Sequence, residues 1–178
     1  MQLVGSRRSM SNSERRLKMH TPNKKALPHL ERILSSKSIR EVVKSTDLAQ
    51  IGDFLTNFVY TTMRIGIKGK GGSIHVWDRA LTNAARDTGL IRYFPNRFKR
   101  DKIADGVEAL IAFAYFNSII SLSEMIDILA SWIGDDDLKD RKIEVLACQT
   151  AFEQLIRTIF LKAKANGSFE DLDQKLTI

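Results

Sequence analysis

The chain has 178 residues, of which 43% are hydrophobic and 28% charged, enough for one domain with a core and too few for two comfortable ones. No apolar run approaches the roughly 20 residues that span a bilayer, so we expect no membrane partner. Because the sequence shows no secretory signal and a single cysteine, Cys148, we expect a cytoplasmic protein whose cysteine is a small buried core residue.

The net charge of +7 is concentrated near the N-terminus. Residues 1–25 hold seven Lys and Arg against one acid, Glu14, and show no apolar period, which predicts a basic disordered tail. Such a tail suits RNA, because phosphate contacts release counterions. A solvated leader, or a true start at Met10 or Met19, explains it equally well. We divide the chain into this tail, a helical domain at 26–167 and a polar C-terminal tail at 168–178.

Helical periodicity begins at Pro28, and a second short helix is predicted at 39–43. The clearest helix follows. Thr46 and Asp47 resemble an N-cap, and the pattern predicts an end near Arg64. One apolar face of this helix comprises Leu48, Ile51, Leu55, Phe58 and Val59.

A glycine-rich loop at 66–72 lacks the spacing of a phosphate-binding loop, so a plain linker is favoured over a mobile RNA-binding loop. The pattern then predicts a helix at 73–88 with Gly89 after its end. The basic, aromatic connector at 91–100 is typical of a covered core edge, although arginines beside aromatics also serve RNA binding.

A strongly hydrophobic helix is predicted at 101–117, followed by a helix at 122–133 capped by Ser121. The acidic turn 135–137 is better interpreted as a helix start than as a metal site. A last helix is predicted at 139–165 and closed by Gly167. No alternating strand pattern persists, so the fold class is all-α. The inward residues predicted for the last helix are Ile143, Leu146, Ala147, Thr150, Leu155, Ile159 and Leu161.

Three acids stand out because their helices are otherwise committed to burial. Asp53 follows Gly52 in the 48–59 pattern, and a mid-helix glycine favours close backbone approach. Asp105 and Glu108 lie at i, i+3 on one face, where two carboxylates repel unless a cation lies between them. Mg²⁺ takes such oxygen ligands. An exposed acidic face explains each motif separately, and spacing alone does not bring Asp53 to Glu108.

Residues 48–53 (LAQIGD) and the apolar helix after them resemble the signature helix of ribonuclease III. Residues 104–111 (ADGVEALI) resemble the second motif of that family, and residues 80–90 (ALTNAARDTGL) resemble its middle helix. The order, helical type and spacing of these segments are those of the family, and the likeness covers roughly residues 30–165.

The resemblance implies a ribonuclease III endonuclease-domain-like helical bundle. It implies Asp53, Asp105 and Glu108 as catalytic, metal-binding acids that hold Mg²⁺, with Mn²⁺ as an alternative, and no organic cofactor. The metal would activate water against a phosphodiester, leaving a 5′ phosphate and a 3′ hydroxyl. It further implies a homodimer, paired along the signature helix, that cleaves double-stranded or structured RNA during RNA processing.

The sequence departs from the family at Ala49, where members usually carry a Glu, and at Thr46, the place of an earlier acid. The small mini-ribonuclease III branch, which lacks a double-stranded RNA-binding domain, is the closer match. We expect RNA affinity to come from the basic tail, a partner or the catalytic face, with recognition by A-form shape. A non-catalytic RNA-binding or ribosome-associated protein is the alternative, and a helical interaction module is a third.

Overall fold

The computed structural model describes residues 28–70 and 75–172. Within these ranges the chain forms α-helices and short 3-10 helices and no strand, which confirms the all-α prediction. The segment 1–25 lies outside the described residues, so its disorder stays a prediction. The α-helices of the described part are α1 (Pro28–Leu34), α2 (Ile39–Val42), α3 (Thr46–Lys68), α4 (Asp78–Asp87), α5 (Arg100–Phe116), α6 (Leu122–Trp132) and α7 (Arg141–Ala165).

The N-cap of α3 is Ser45, so its predicted capping by Thr46 and Asp47 is wrong. Ser45 has extended backbone angles, and its hydroxyl accepts a hydrogen bond from the Leu48 N–H at 3.3 Å. Thr46 is already helical, and the Asp47 carboxylate contacts His29 at 2.9 Å instead. The cap satisfies one of the free amides of the first turn.

The C-terminal end of α3 also differs from its predicted position near Arg64. The helix continues to Lys68 and ends at Gly69, whose φ of 67° is left-handed and whose N–H donates to the Ile65 carbonyl at 2.8 Å. A glycine adopts this conformation without steric cost. The loop prediction for 66–72 is therefore wrong for its first residues, and its end at 71–72 lies outside the described residues.

The buried side of α3 is not the predicted apolar face. Leu48 and Val59 are buried as predicted, but Phe58 is 54% exposed and Ile51 and Leu55 are only partly buried. The reason is tertiary: α3 packs against α5 and α6, which cover one side only. The side they cover comprises Leu48, Gly52, Thr56, Val59, Tyr60 and Met63.

Helix α5 lies within one residue of its predicted bounds and is the central helix. Residues 103–114 are buried except for Asp105, because α2, α3, α4 and α7 surround the helix. At Gly106, an added Cβ would lie 2.3 Å from the Phe94 ring and 2.8 Å from the Val43 carbonyl oxygen. The buried Phe94 confirms that the connector 91–100 covers a core edge.

Helix α4 begins at Asp78, so the prediction of a helix from residue 73 is wrong. Residues 75–77 are not helical, and 73–74 lie outside the described residues. The Trp77 ring packs edge-to-face against Tyr60 with centroids 6.1 Å apart. This packing holds the segment on α3 before the helix starts. Gly89, with φ of 75°, follows the end of the helix as predicted.

Glu144 on α7 is buried beside α3. The residue is only 6% exposed. Its carboxylate accepts hydrogen bonds from the Tyr60 hydroxyl at 2.8 Å and from the Arg64 guanidinium. Burial, with the negative charge of Glu144 nearby, raises the pKa of the Tyr60 hydroxyl. The ion pair lets α7 keep a charged residue against the core.

This inward turn of Glu144 reverses part of the predicted face of α7. Ile143, Leu146 and Leu161 are 50%, 62% and 52% exposed, so their assignment as inward residues is wrong. Leu155 and Ile159 are buried as predicted, whereas Ala147 and Thr150 are partly buried. The residues of α7 that are buried are Glu144, Cys148, Ala151, Phe152, Leu155, Ile156, Ile159, Phe160 and Ala163.

The predictions for the ends of α6 and α7, for the acidic turn and for the cysteine are confirmed. Ser121 caps α6 by accepting from the Glu124 N–H at 3.3 Å, and Gly167 follows α7 in a left-handed conformation. The acidic turn starts the 3-10 helix Asp137–Lys139 and is balanced by lysine contacts. Cys148 is fully buried, which raises its thiol pKa. Among residues 28–70 and 75–172, no helix has the length and apolar character needed to cross a membrane.

The first residues of the predicted polar C-terminal tail contact the helices. The Phe169 ring stacks on Phe113 with centroids 5.0 Å apart. The Asp171 carboxylate accepts from the Ile39 N–H at 2.7 Å, at the start of α2. Residues 168–172 therefore pack onto the helical domain, whereas 173–178 lie outside the described residues. The division into domain and tails stays a prediction.

Candidate active site

Helices α3 and α5 approach each other closely at Gly52. A Cβ added there would lie 2.1 Å from the carbonyl oxygen of Glu108 and 2.9 Å from its Cα, both backbone atoms of α5. A side chain at position 52 would therefore separate the helices. The close contact between the helices therefore requires glycine at position 52. Asp53 follows Gly52 on α3 and Glu108 lies opposite it on α5, so both acids lie where the two helices cross.

A cleft of about 350 Å³ opens beside this crossing. It brings together Asp53, Asp105 and Glu108, the three acids that the sequence singled out on two separate helices. The remaining lining residues include a fourth acid, one lysine and the two positions where the sequence departs from its resembled family. They are Thr46, Ala49, Gln50, Asp78 and Lys102.

Asp53 is exposed to the cleft and held by its own helix. The Asn57 amide, one turn later, donates to the Asp53 carboxylate at 2.7 Å and to the Asp53 carbonyl at 2.9 Å. The side-chain Oδ1 of Asn57 in turn accepts a hydrogen bond from the Val76 N–H at 2.7 Å. One amide therefore fixes the Asp53 side chain and ties the segment before α4 to the same turn of α3.

Glu108 is the buried acid of the cleft, with 9% of the residue exposed. No group in the described ranges donates a hydrogen bond to its carboxylate. Burial, together with the negative charges of Asp53, Asp105 and Asp78, raises its pKa to about 8. A carboxylate in this setting has a strong electrostatic preference for an added cation, because the cation would oppose every one of these effects.

Asp105 lies at the cleft mouth, with 39% of its side chain exposed. Its carboxylate accepts from the Lys102 ammonium at 2.7 Å, an i, i+3 pair on the first turns of α5. This pairing raises the pKa of Lys102. Lys102 thus brings a positive charge into an otherwise acidic cleft, a feature that the sequence reasoning did not identify.

Asp78 is the acid that the sequence reasoning missed. Placed inside a predicted helix at 73–88, it was one acid among ordinary surface residues. In the structure it is the first residue of α4, and its charge acts on Glu108. The backbone changes from extended to helical at Trp77, and Asp78, the next residue, lines the cleft. The segment before this boundary is held on α3 by the packing of Trp77 on Tyr60 and by the Val76–Asn57 hydrogen bond.

The carboxylate oxygens that line the cleft are the type of ligand that a hard divalent cation prefers. Within the described ranges, no three His, Cys, Asp or Glu side chains are grouped tightly enough to form a metal-binding set by themselves. Mg²⁺ in proteins usually has one or two carboxylate ligands and keeps several waters or takes phosphate oxygens. The buried, unpartnered Glu108 beside Asp53 matches that requirement, so the residues present fit Mg²⁺.

Comparison with known protein families gives a match over the part of the chain that forms this cleft. A family model described as Ribonuclease III matches residues 46–165, from the first residue of α3 to the last of α7. No curated protein matches the chain. The matched range contains Asp53, Asp78, Asp105 and Glu108.

Proposed function

The chain belongs to the ribonuclease III family, and from that membership we propose that it is an Mg²⁺-dependent endoribonuclease that cleaves double-stranded or structured RNA. The observation that carries the proposal is Glu108. The residue is only 9% exposed, and its carboxyl receives no hydrogen bond from the described residues. Together with Asp53 of α3 and Asp105 of its own helix, it lines a cleft open to solvent. A chain that only needed a stable core would have little reason to keep these charges together.

In the proposed reaction, Asp53 and Glu108 would hold the metal, with Asp105 beside them. When bound, Mg²⁺ would acidify a water and offset negative charge on the phosphate; attack of this water on phosphorus would break the P–O3′ bond, leaving a 5′ phosphate and a 3′ hydroxyl. Asn57 orients Asp53, and the Gly52 contact holds Glu108 against it. The exposed cleft mouth at Asp105 admits a phosphate backbone.

We propose that two copies pair along α3. Phe54 and Phe58 are 77% and 54% exposed and lie one turn apart, next to Asp53 and Asn57. Ile65, 45% exposed, extends the same side of the helix. Exposed aromatic residues of this size at helical spacing are typical of a surface that another chain covers. Pairing there would place two clefts on one assembly, one for each RNA strand.

The alternative is a non-catalytic RNA-binding protein that keeps the family fold. Two observations favour it. Ala49 lines the cleft at the position where members of the family carry a Glu, and the Lys102 ammonium forms an ion pair with the Asp105 carboxylate. Retention of four acids around one cleft favours the enzyme, since each adds repulsion that an RNA-binding surface would avoid.

The test is incubation of the purified chain with a generic duplex RNA in Mg²⁺, compared with Glu108→Gln and with added EDTA. Cleavage by the wild type that is lost in both comparisons supports the enzyme. Glu124→Gln, on the surface of α6 and outside the cleft, is the matched control and should cleave normally. RNA binding without cleavage would favour the alternative.

The dimer is tested separately by light scattering. We expect about twice the 20.2 kDa of one chain. Phe54→Asp should yield monomers, because two-fold symmetry places two new charges in one apolar interface. Leu161→Asp, at an equally apolar and 52% exposed position on α7, is the control and should stay dimeric. A wild type that is monomeric at micromolar concentration would refute the pairing.

A further inference from the structure

Asp78 is held close to Asp53 by a chain of contacts. Asn57 donates to the Asp53 carboxylate at 2.7 Å and accepts from the Val76 N–H at 2.7 Å. Trp77, the residue between, packs edge-to-face on Tyr60. The two residues before Asp78 are thus fixed to α3, which leaves the Asp78 carboxylate at the cleft wall rather than on a mobile loop.

The cleft also contains a group that calls for a ligand. Glu108 is nine-tenths buried, accepts no hydrogen bond from the residues that the structure describes, and lines the same space as Asp78. Asp78 on α4 and Glu108 on α5 therefore reach one cleft from two different helices. Two acids that repel each other across an open cleft favour a cation between them.

The place of Asp78 corresponds to a gap on α3. Ala49 lines the cleft, one turn before Asp53, and its methyl group offers no ligand where the resembled family has a Glu. Asp78 reaches the same cleft from α4, a different helix. Building on the proposed function, we propose that Asp78 is a metal-binding carboxylate of this site, replacing from α4 the ligand that position 49 lacks.

A plainer role for Asp78 makes different predictions. An acid in the first turn of a helix stabilises the free amides there by charge, whatever the cleft contains. Asp78 is the first residue of α4, and the N-cap Trp77 has no side-chain cap. If this were its whole role, Asp78→Asn would lower the stability of the protein slightly and leave the affinity for metal ions unchanged.

The experiment measures binding of Mn²⁺, the paramagnetic substitute for Mg²⁺, to the RNA-free chain by electron paramagnetic resonance. We expect Asp78→Asn to weaken binding about tenfold or more, as loss of metal-site partners does. Asp101→Asn removes the same charge from the first turn of α5, outside the cleft lining, and should bind like the wild type. Circular dichroism and thermal melting establish that each variant is folded.

A rescue variant tests whether a carboxylate supplied to the cleft from α3 can replace the one supplied from α4. Ala49→Glu, added to Asp78→Asn, should restore most of the affinity, because it returns a carboxylate to the same cleft from α3. If Asp78→Asn binds Mn²⁺ like the wild type while Asp53→Asn does not bind it, the role of Asp78 is refuted and the proposed enzyme stands. A wild type that binds no Mn²⁺ would refute both. Equal losses in Asp78→Asn and Asp101→Asn would refute a specific ligand.

Discussion

Helix α3 packs against two buried glutamates, and the molecule treats them differently. Glu144, 6% exposed, receives hydrogen bonds from Tyr60 and Arg64, both on the C-terminal half of α3. Glu108, 9% exposed, meets Gly52 in the N-terminal half and has no hydrogen-bond donor among the described residues. Glu144 is therefore paired with a cationic side chain, Arg64, whereas the neighbours of Glu108 include other acids.

The difference in hydrogen-bond partners indicates a different role for each glutamate. A buried carboxylate without a counter-ion is costly, and the same helix shows that an arginine can balance one. No arginine contacts the Glu108 carboxyl among the described residues. Instead, Gly52 lets the backbones of α3 and α5 approach each other closely at this position. We therefore propose that the unpartnered Glu108 carboxyl ionises when a cation from solution binds beside it, whereas the Glu144 carboxylate is paired within the fold and joins α7 to the core.

The largest effect is expected on removing the built-in cation. Arg64→Met should lower the free energy of unfolding by about 3–5 kcal/mol, because it leaves the Glu144 carboxylate buried beside an apolar chain. Urea unfolding measures this. Lys162→Met, which breaks the exposed Lys162–Glu124 pair, is the control and should cost less than about 1 kcal/mol. Equal costs would mean that the buried pair contributes no more than a surface pair.

The second prediction concerns the close approach at Glu108. Gly52→Ala should destabilise the protein by about 3 kcal/mol, at the upper end for overpacking, since the new Cβ meets backbone that cannot rotate away. It should also abolish cleavage by moving α5 off Asp53.

Gly66→Ala is the matched control, because a Cβ there has open space within 4 Å. This second helical glycine of α3 should gain about 0.5 kcal/mol as alanine. If Gly52→Ala were as harmless in a urea titration, the two helices would not be as close at Glu108 as the structure has them.

The sequence predicts the helices better than it predicts their faces. The cores of α3, α5, α6 and α7 follow from apolar periodicity, but Phe58, which belongs to the predicted apolar face of α3, is 54% exposed. Likewise, Leu146 is outside because Glu144 is pulled inside by Arg64, which lies eighty residues away. Periodicity identifies an apolar stripe, and only tertiary packing decides what covers it.

The candidate site was predictable in the same uneven way. Gly52 and the pair Asp105 and Glu108 are visible as local anomalies in apolar helices, and their meeting was expected from the family resemblance rather than from spacing. Asp78 was not predictable, because its place depends on where α4 begins. The segment before that boundary contacts α3 through Trp77 on Tyr60 and through the Val76 N–H on the Asn57 side chain, and these long-range contacts leave no periodic signal.

The third prediction is a pH dependence that one of the two glutamates carries. In EDTA, the unfolded chain loses the Glu108 proton near pH 4.5, whereas the folded chain keeps it up to about pH 8. The stability is therefore full below pH 4.5 and falls as the pH rises to about 8, by on the order of a few kcal/mol. Glu108→Gln should remove this loss, and its urea stability should exceed that of the wild type at pH 8.

Added Mg²⁺ should reverse the difference. A bound cation favours the charged carboxylate, so Mg²⁺ should raise the stability of the wild type at pH 8 and leave Glu108→Gln nearly unchanged. Parallel pH profiles for the two proteins in EDTA would contradict the view that Glu108 is the unbalanced carboxylate.

The smallest effect tests the strongest objection to this comparison, which is that the cleft already contains a cation. Lys102 lies in it, but its ammonium pairs with Asp105 at 2.7 Å, and the two side chains are 54% and 39% exposed. A pair so open to water is weak, so Lys102→Gln should leave the urea midpoint unchanged. It should tighten Mn²⁺ binding about two- to fivefold, because it removes a like charge and frees Asp105. If Lys102→Gln instead destabilised the fold as Arg64→Met does, and weakened metal binding, Lys102 would be the built-in counter-ion of the cleft. The two glutamates would then differ in how exposed the neighbouring cation is, with Arg64 at 17% and Lys102 at 54%, and not in function.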